Sequence, residues 1–279
     1  MLLRDALAFA VSRLATAQVP SPRLNAELLL RFTLSCDRAY LHAHPERELT
    51  TEEIHLYQQA LSERSSGMPA QYITKHQEFW GMDLLVGPAV LIPRPETEHL
   101  IETVLPLARA GSNSRIADVG TGSGCIALAL ASELPSAEIH ATDISAEALE
   151  IARANAARHQ LERRIHFHQT DLLHGLDAAG FDFVVSNPPY VGEHEQDEVQ
   201  LEVRKFEPRH AVFAGPTGLE VIERLIPEAQ VALKPGGWLV IEISGTIVAQ
   251  VRRLLGGWDE VQIIADLQGL PRVAAARKP

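Results

Sequence analysis

The chain has 279 residues, 46% of them hydrophobic, and a formal net charge of −11. This length suffices for one large α/β domain and a smaller one. The acidic balance argues against broad nucleic-acid binding, which needs clustered Lys and Arg. No apolar run approaches the ~20 residues of a membrane span, and Cys36 and Cys125 alone cannot make a disulfide framework. A cytoplasmic location is therefore predicted.

Residues 1–76 are predicted to form a small helical bundle. Met1 to Asp5 has helical spacing and an early carboxylate, so no signal peptide is expected. Thr50-x-x-Glu53 reads as a capping box that opens a later helix. The first helix is predicted to bury one apolar face, made of Ala6, Phe9, Ala10, Leu14 and Ala17.

Residues 77–93 are predicted to form a linking β-hairpin, with two strands on either side of Gly87-Pro88. The segment Glu96 to Glu98 then begins a helix. From residue 94 to residue 279 the pattern predicts one larger domain.

A glycine-rich turn follows the first strand of that domain. Arg115 to Val119 reads as a buried strand, Gly120-Thr121-Gly122-Ser123-Gly124 as a turn, and Cys125 to Ala131 as a helix. Strand, glycine turn and helix in this order are typical of a nucleotide-like ligand at a helix N-terminus. Cys125 stands where a dinucleotide motif has its third glycine, which weakens that interpretation. The next strand ends in Asp143, at the distance expected for a carboxylate that holds ribose hydroxyls.

The alternation of strands and helices after Arg115 predicts a doubly wound α/β sheet. Residues 192–210 are expected to be a long charged loop, and 234–237 a tight turn. The further predicted strands are Ile165 to Gln169, Phe181 to Ser186, Trp238 to Ile243, Val261 to Ile264 and Val273 to Ala276.

The fourth strand runs into Asn187-Pro188-Pro189-Tyr190. Asn187 offers a side-chain carbonyl, and the prolines have no N–H groups to compete for the acceptors around them. Tyr190 adds a flat aromatic face. This combination suits a planar –NH2 group, either an amide or an amine on a base, with its nitrogen aimed at an electrophile.

No metal site is predicted. His42 and His44, like His166 and His168, stand one residue apart without further ligands at the usual spacing. Half-buried or solvent-facing histidines are the favoured interpretation.

The motifs Asp118 to Gly124, Asp143 and Asn187 to Tyr190 resemble those of S-adenosylmethionine-dependent amino-group methyltransferases. Nearly the whole chain resembles the HemK-type protein-(glutamine-N5) methyltransferases. The segments that carry this narrower resemblance are Gly67 to Ile73, Glu78 to Gly81, Ile92 to Glu98, Phe206 to Pro208 with Ala211, and Gly218-Leu219. The resemblance implies a Rossmann-like class I methyltransferase domain after the helical bundle, which would dock the substrate.

The resemblance also implies roles for individual residues. The backbone of Gly120, Thr121, Gly122, Ser123 and Gly124 would face the methionine part of S-adenosylmethionine, and Asp143 would hold the ribose. Asp171 and Leu172 would lie by the adenine, where relatives often have an aromatic residue in place of Leu172. Asn187 and the Pro188 carbonyl would accept the two amide hydrogens, with Pro189 and Tyr190 completing the catalytic and substrate-binding loop and Asn187 also close to the cofactor. A second departure, Ser244 after the Glu242-Ile243 pair, has no explanation from the sequence.

The implied substrate is the glutamine of the Gly-Gly-Gln motif in class I peptide chain release factors. A ribosomal-protein glutamine is a close rival, since sister enzymes share the catalytic motifs. An exocyclic amine of a nucleic-acid base is a second alternative, disfavoured by the acidic charge. A non-catalytic binding module is a third. Neither direct nucleic-acid binding nor a membrane partner is expected.

Overall fold

The first unit of the chain is built from helices. The computed structural model describes residues 1–109, 113–176 and 178–279, and these divide into two compact units. Met1–His76 and Gln200–Phe206 form the first, which we call the helical unit. Its N-terminal helices are α1 (Leu3–Thr16), α2 (Pro22–Leu34), α3 (Arg38–Ala43), α4 (Thr51–Ser65) and α5 (Ala70–Thr74).

The predicted capping box of α4 is confirmed. Thr50 Oγ1 accepts a hydrogen bond from the Glu53 amide, and the Glu53 carboxylate accepts one from the Thr50 amide. The predicted face of α1 is only partly right. Ala6, Ala10 and Leu14 are buried with Leu3, whereas Phe9 is 53% exposed because its position falls beside this narrow stripe. Ala17 follows the last residue of the helix and is exposed.

The second unit, Gln77–Val199 with Glu207–Pro279, contains both strands and helices, and we call it the α/β unit. The remaining elements of the chain, in order, are β1 (His76–Phe79), β2 (Met82–Leu85), α6 (Glu98–Arg109), β3 (Arg115–Val119), α7 (Cys125–Glu133), β4 (Glu138–Asp143), α8 (Ala146–Arg158), β5 (Ile165–Gln169), β6 (Phe181–Ser186), β7 (Val191–Gly192), α9 (Leu201–Phe206), α10 (Arg209–Val212), β8 (Phe213–Gly215), α11 (Glu220–Ala232), β9 (Leu233–Glu242), α12 (Val248–Leu254), β10 (Asp259–Ala265) and β11 (Pro271–Arg277). Among the described residues, none of the helices has the length and apolar character needed to cross a bilayer.

A seven-stranded sheet in the order β10-β11-β9-β6-β3-β4-β5 forms the centre of the α/β unit. The strands from β9 to β5 are parallel, and β11 and β10 are added in antiparallel fashion. The chain runs from β3 outward to β5 and then returns to place β6 on the other side of β3. In open α/β sheets, ligands bind at the carboxyl ends of strands where the order reverses in this way.

Both faces of this sheet are covered. Alternate residues of each strand point to opposite faces. Ile116 of β3 and Val185 of β6 pack under α6, α7 and α8. Ala117 and Val184 pack under α11 and α12. Strands buried on both faces explain the near-continuous apolar runs of these strands. The doubly wound sheet that was predicted from the alternation of strands and helices is confirmed.

The hairpin turn differs from its predicted place. β1 and β2 join at Trp80 and Gly81, which both have positive φ angles of 52° and 69°. Two such residues make the turn type that matches the twist of a hairpin. Glu78 and Glu98 carboxylates accept hydrogen bonds from the Gly81 and Trp80 amides and fix this turn. Gly87-Pro88 instead lies after β2, in a separate turn.

Residues 192–210 are not the structureless loop that was predicted. A 3₁₀ turn and two short helices, α9 and α10, lie within this segment. α9 belongs to the helical unit, where Arg64 forms an ion pair with Glu202 at 2.9 Å and Lys205 donates to the Ser66 carbonyl at 3.3 Å. A six-residue helix without apolar periodicity gives no signal in the sequence. The predicted turn at 234–237 is likewise an irregularity within β9, between the pairs Phe181–Leu233 and Phe183–Trp238.

Candidate active site

The glycine turn and the Asn-Pro-Pro-Tyr loop leave adjacent strands at the same edge of the sheet. Val119, the last residue of β3, pairs with Ser186, the last residue of β6. The Ser186 hydroxyl donates to the Val119 carbonyl at 2.7 Å, which ties the two strand ends together. The two motifs are therefore neighbours in space, although more than 60 residues separate them in the chain.

The three glycines of the turn all have positive φ angles, which only glycine adopts without strain. A Cβ atom added to Gly120 or Gly122 would meet no other atom of the described residues within 4 Å. At Gly124 it would lie 2.6 Å from Leu128 Cδ1 and 3.2 Å from Ala152 Cβ. The first two glycines thus leave open space beside the backbone, and the third allows α7 and α8 to pack closely.

Asp118 supports the turn from within the protein. Its Oδ2 accepts hydrogen bonds from the Thr121 hydroxyl at 2.6 Å and from the Ala127 amide at 3.1 Å. Its Oδ1 is buried without a hydrogen-bond partner among the described residues. Burial raises the pKa of Asp118 to about 7, although the two donors and their hydrogen bonds oppose this rise.

Asp143 holds the turn from the end of β4. One of its carboxylate oxygens accepts from the Gly122 amide and the other from the Ser145 amide, both at 2.9 Å. The Gly120 and Thr121 amides donate to the carbonyl of the preceding residue, Thr142. Each carboxylate oxygen has two lone-pair positions, so Asp143 keeps acceptor capacity for hydroxyl groups of a ligand.

Asn187 and Pro189 line a cavity together with the glycine turn and the ends of β4 and β5. The lining residues that the sequence predicted are Gly120, Thr121, Gly122, Ser123, Asp143, Asp171, Leu172, Asn187 and Pro189. Within the described part of the chain, Gly124, Pro188 and Tyr190 are not among the residues that line it. Gly124 faces helices instead, for the packing reason given above. The Tyr190 hydroxyl donates to the buried Glu242 at 3.0 Å.

Asp171 and Leu172 occupy the wall of the cavity beyond Asp143. Asp171 pairs with Arg224 of α11, and Leu172 has a positive φ of 49°, which is uncommon for a residue of this kind. Ile144, which the sequence reasoning missed, lines the cavity and is 61% exposed. The sequence did contain a signal for Ile144, because it is an apolar residue directly after Asp143. Like Leu172, it could have been predicted to contact a flat ring.

Arg94 and Glu207 close another side of the cavity. Glu207 is buried, pairs with Arg94, and accepts a hydrogen bond from the Ile92 amide at 3.2 Å. Arg94 lines the cavity. The segment Ile92 to Glu98 carries part of the family resemblance, but no pattern in the sequence identifies the partner of Arg94, which lies 113 residues further along the chain.

The residues of the cavity fit S-adenosylmethionine. Open space beside the backbone of Gly120 and Gly122 accepts a ligand in close contact. Asp143 supplies acceptors suited to ribose hydroxyls, and Ile144 and Leu172 supply apolar side chains suited to a flat base.

Comparisons with known proteins agree with this fit. A family model described as "PrmC N-terminal domain" matches residues 5–74, and one described as "Methyltransferase small domain" matches residues 96–206. A release factor glutamine methyltransferase of Koribacter versatilis is 54% identical over 280 residues, which cover 100% of this chain and 99% of that protein. A protein of the same name from Chlorobaculum tepidum is 43% identical, covering 97% of this chain and 94% of its own.

A solved structure shows the same fold. The ribosomal protein L11 methylase of Lactobacillus delbrueckii subsp. bulgaricus superimposes with a TM-score of 0.51 at 24% identity, covering 70% of this chain and 84% of its own. The family predicted from the motifs is confirmed by the full-length relatives. The chain belongs to the release factor glutamine methyltransferases, S-adenosylmethionine-dependent enzymes in which a class I methyltransferase domain follows a helical domain.

Proposed function

We propose that this enzyme methylates the side-chain amide nitrogen, N5, of the glutamine in the Gly-Gly-Gln motif of class I peptide chain release factors, and so supports translation termination in the cytoplasm. The observation that carries the proposal is the position of Asn187, which lines the same cavity as Gly120, Gly122 and Asp143. The relatives named above support the choice of substrate.

An amide nitrogen is a poor nucleophile because its lone pair is delocalised into the carbonyl group. The enzyme therefore contributes position and electrostatics. In our proposal Asn187 Oδ1 and the Pro188 carbonyl accept the two N–H hydrogens of the substrate amide, which orients the nitrogen and makes it more electron-rich. S-adenosylmethionine, when bound, supplies an electrophilic methyl group on a positively charged sulfur. Once the nitrogen carries this methyl group, it loses one of its two hydrogens as a proton to water.

We assign Tyr190 to the plane of the substrate amide and propose that its hydrogen bond to Glu242 fixes the orientation of the ring. Two glycines before the target glutamine would let a thin loop enter the cavity, where bulkier neighbours would clash. The acidic charge of −11 gives no support to a nucleic-acid substrate.

Mass spectrometry tests the proposed substrate. A bacterial release factor is incubated with the enzyme and S-adenosylmethionine, and the peptide that contains Gly-Gly-Gln is analysed. We expect one added methyl group on the glutamine, lost in Asn187→Ala while cofactor affinity measured by calorimetry is kept. If the wild-type enzyme binds cofactor but leaves the release factor unmodified, the substrate assignment is wrong and ribosomal proteins are tested next.

We further propose that the helical unit docks the protein substrate. Apolar side chains on its surface support this role, since Leu24 of α2 is 61% exposed and Phe32 is 46% exposed. Replacing both with Ala is expected to raise KM for the whole release factor and to leave the rate on a short Gly-Gly-Gln peptide unchanged. Equal effects on the protein and the peptide would contradict the docking role.

A further inference from the structure

A chain of buried hydrogen bonds extends from Asn187, and its next member, Thr97, also lines the cavity. The Asn187 amide donates through Nδ2 to Thr97 Oγ1 at 2.9 Å, and the Thr97 hydroxyl donates to Glu242 Oε2 at 2.7 Å. The other Glu242 oxygen accepts from the Tyr190 hydroxyl at 3.0 Å. Thr97 and Glu242 are each only 2% exposed. This chain links β9, the start of the segment that leads into α6, and both ends of the Asn-Pro-Pro-Tyr loop.

With Glu242 ionised, the hydrogens in this chain can be assigned. A threonine hydroxyl has one hydrogen, and Thr97 gives it to Glu242. Its oxygen can then only accept, so the group that faces it from Asn187 must be the –NH2. The carbonyl oxygen of Asn187 consequently lies on the side of the amide away from Thr97.

This direction of the hydrogen bonds, from Asn187 through Thr97 to Glu242, requires the ionised form of Glu242. Two hydroxyl donors, Thr97 and Tyr190, occupy one carboxylate oxygen each. Burial, together with the Glu96 carboxylate, raises the pKa of Glu242 above its usual value, and the hydrogen bonds from Thr97 and Tyr190 and the charge of Arg272 oppose this rise because they stabilise the ionised form. A protonated Glu242 could donate to Thr97, and Thr97 would then donate to Asn187. That arrangement would turn the Asn187 –NH2 toward the cavity, where it would face the substrate N–H groups with a donor.

We propose that Glu242 and Thr97 are positioning residues, which fix the Asn187 side-chain amide with its oxygen toward the substrate. The inference rests on the proposed function and deepens it, since it explains how the acceptor of the substrate amide is oriented. The inference also gives a physical role to Glu242, which stands two residues before Ser244, the position where this chain departs from its relatives. An asparagine amide is nearly symmetric in shape, so packing alone distinguishes its two orientations poorly, and hydrogen bonds must do so.

A reversal of the hydrogen-bond direction provides the test. In Glu242→Gln the new side chain can keep its oxygen toward Tyr190 and donate its –NH2 to Thr97, which frees the Thr97 hydrogen to point at position 187. With asparagine there, we expect kcat to fall at least ~10-fold because the amide is turned. In Asn187→Asp alone, an acceptor faces the Thr97 oxygen and kcat is expected to fall by a similar factor or more.

The double variant Glu242→Gln with Asn187→Asp restores a matched chain, in which each hydrogen again has an acceptor. We expect it to be at least ~10-fold more active than Asn187→Asp alone. A purely structural role for Glu242 predicts the opposite, an additive or larger loss in the double variant, and that result would overturn the proposal.

Thr97 provides a second, independent comparison. Thr97→Val keeps the shape of the side chain and removes the hydroxyl, while Thr97→Ser keeps the hydroxyl and removes a methyl group. We expect kcat of the valine variant to fall at least ~10-fold with cofactor affinity within about twofold of wild type, and the serine variant to remain within about threefold. Equal rates for the two variants, or a loss explained by cofactor affinity, would refute the positioning role.

All rates are measured on the release factor with the wild-type enzyme beside the variants. An inactive wild type would mean that the proposed substrate is wrong. An active wild type with no rescue in the double variant and no difference between the Thr97 variants would mean that the positioning proposal is wrong while the substrate stands.

Discussion

Asn155 of α8 connects the hairpin to the glycine turn, and its replacement by Ala has a cost that can be worked out from its contacts. Its Nδ2 donates to the Leu85 carbonyl at 3.0 Å and to the Ser123 carbonyl at 2.9 Å, and its Oδ1 accepts from the Leu85 amide at 2.6 Å. Asn155 is fully buried. Asn155→Ala would therefore leave three backbone groups without their side-chain partner, namely the buried Ser123 carbonyl and the amide and carbonyl of the half-buried Leu85.

Each such hydrogen bond is worth about 1 kcal/mol net, and each buried group left unpaired costs about 1–3 kcal/mol. Because the structure around the missing side chain can relax in part, we expect Asn155→Ala to lower the free energy of unfolding of the α/β unit by about 3–5 kcal/mol. Cofactor affinity should also fall, because the Ser123 carbonyl in the glycine turn loses its anchor.

Denaturant titration followed by tryptophan fluorescence measures the loss in free energy of unfolding in the α/β unit, where Asn155 lies. All three tryptophans, Trp80, Trp238 and Trp258, belong to the α/β unit. Glu150→Ala, at an exposed position of the same helix, serves as the control and should change the free energy of unfolding by no more than about 0.5 kcal/mol. A loss for Asn155→Ala below about 1 kcal/mol would refute the reasoning from unpaired backbone groups.

Three further predictions concern the turn residues and the buried carboxylates. Gly218→Ala should strongly reduce kcat, because the added Cβ would lie 2.6 Å from the Tyr190 carbonyl oxygen. Gly257→Ala is the control, since Gly257 also has a positive φ but lies in open space among the described residues. This control should lower the free energy of unfolding by only about 1 kcal/mol and leave kcat unchanged. Asp143→Ala should raise the cofactor Kd at least ~10-fold in calorimetry, since it removes about 1.4 kcal/mol or more of hydrogen bonding; an unchanged Kd would show that the ribose assignment is wrong. The pKa of Asp118 is about 7 in the folded protein, above its value in an unfolded chain, so the free energy of unfolding should fall as pH rises from about 4 to about 7, by up to about 1.4 kcal/mol per unit. Asp118→Asn should remove this slope, and a wild-type minus variant difference that is the same near pH 5 and pH 8 would contradict the shift.

The site motifs could be predicted from the sequence because each is local. Strand, glycine turn and helix follow one another directly, and Asp143 and Asn187 each stand at the end of a strand. In a parallel sheet those ends meet at one edge, so the order of the motifs was enough to bring them together.

Other features depend on contacts that no local pattern encodes. The pairing of Glu242 with Thr97 joins residues 145 positions apart. The hairpin turn lies at Trp80-Gly81 because carboxylates of Glu78 and Glu98 bind its amides, whereas Gly87-Pro88 has the stronger turn composition. Local composition predicted the turn at Gly87-Pro88, whereas tertiary contacts place the turn that joins the two strands at Trp80-Gly81.

The composition of the helical unit has a consequence for protein engineering. Although a family model covers residues 5–74 as a continuous block, the unit also includes Gln200–Phe206, whose Glu202 binds Arg64. A protein cut before Gln77 would keep α9 but lose the side chains that hold it. A graft of this unit onto another methyltransferase would need two insertions, one at the N-terminus and one between Val199 and Glu207, and a chimera with the first alone would carry an incomplete helical unit.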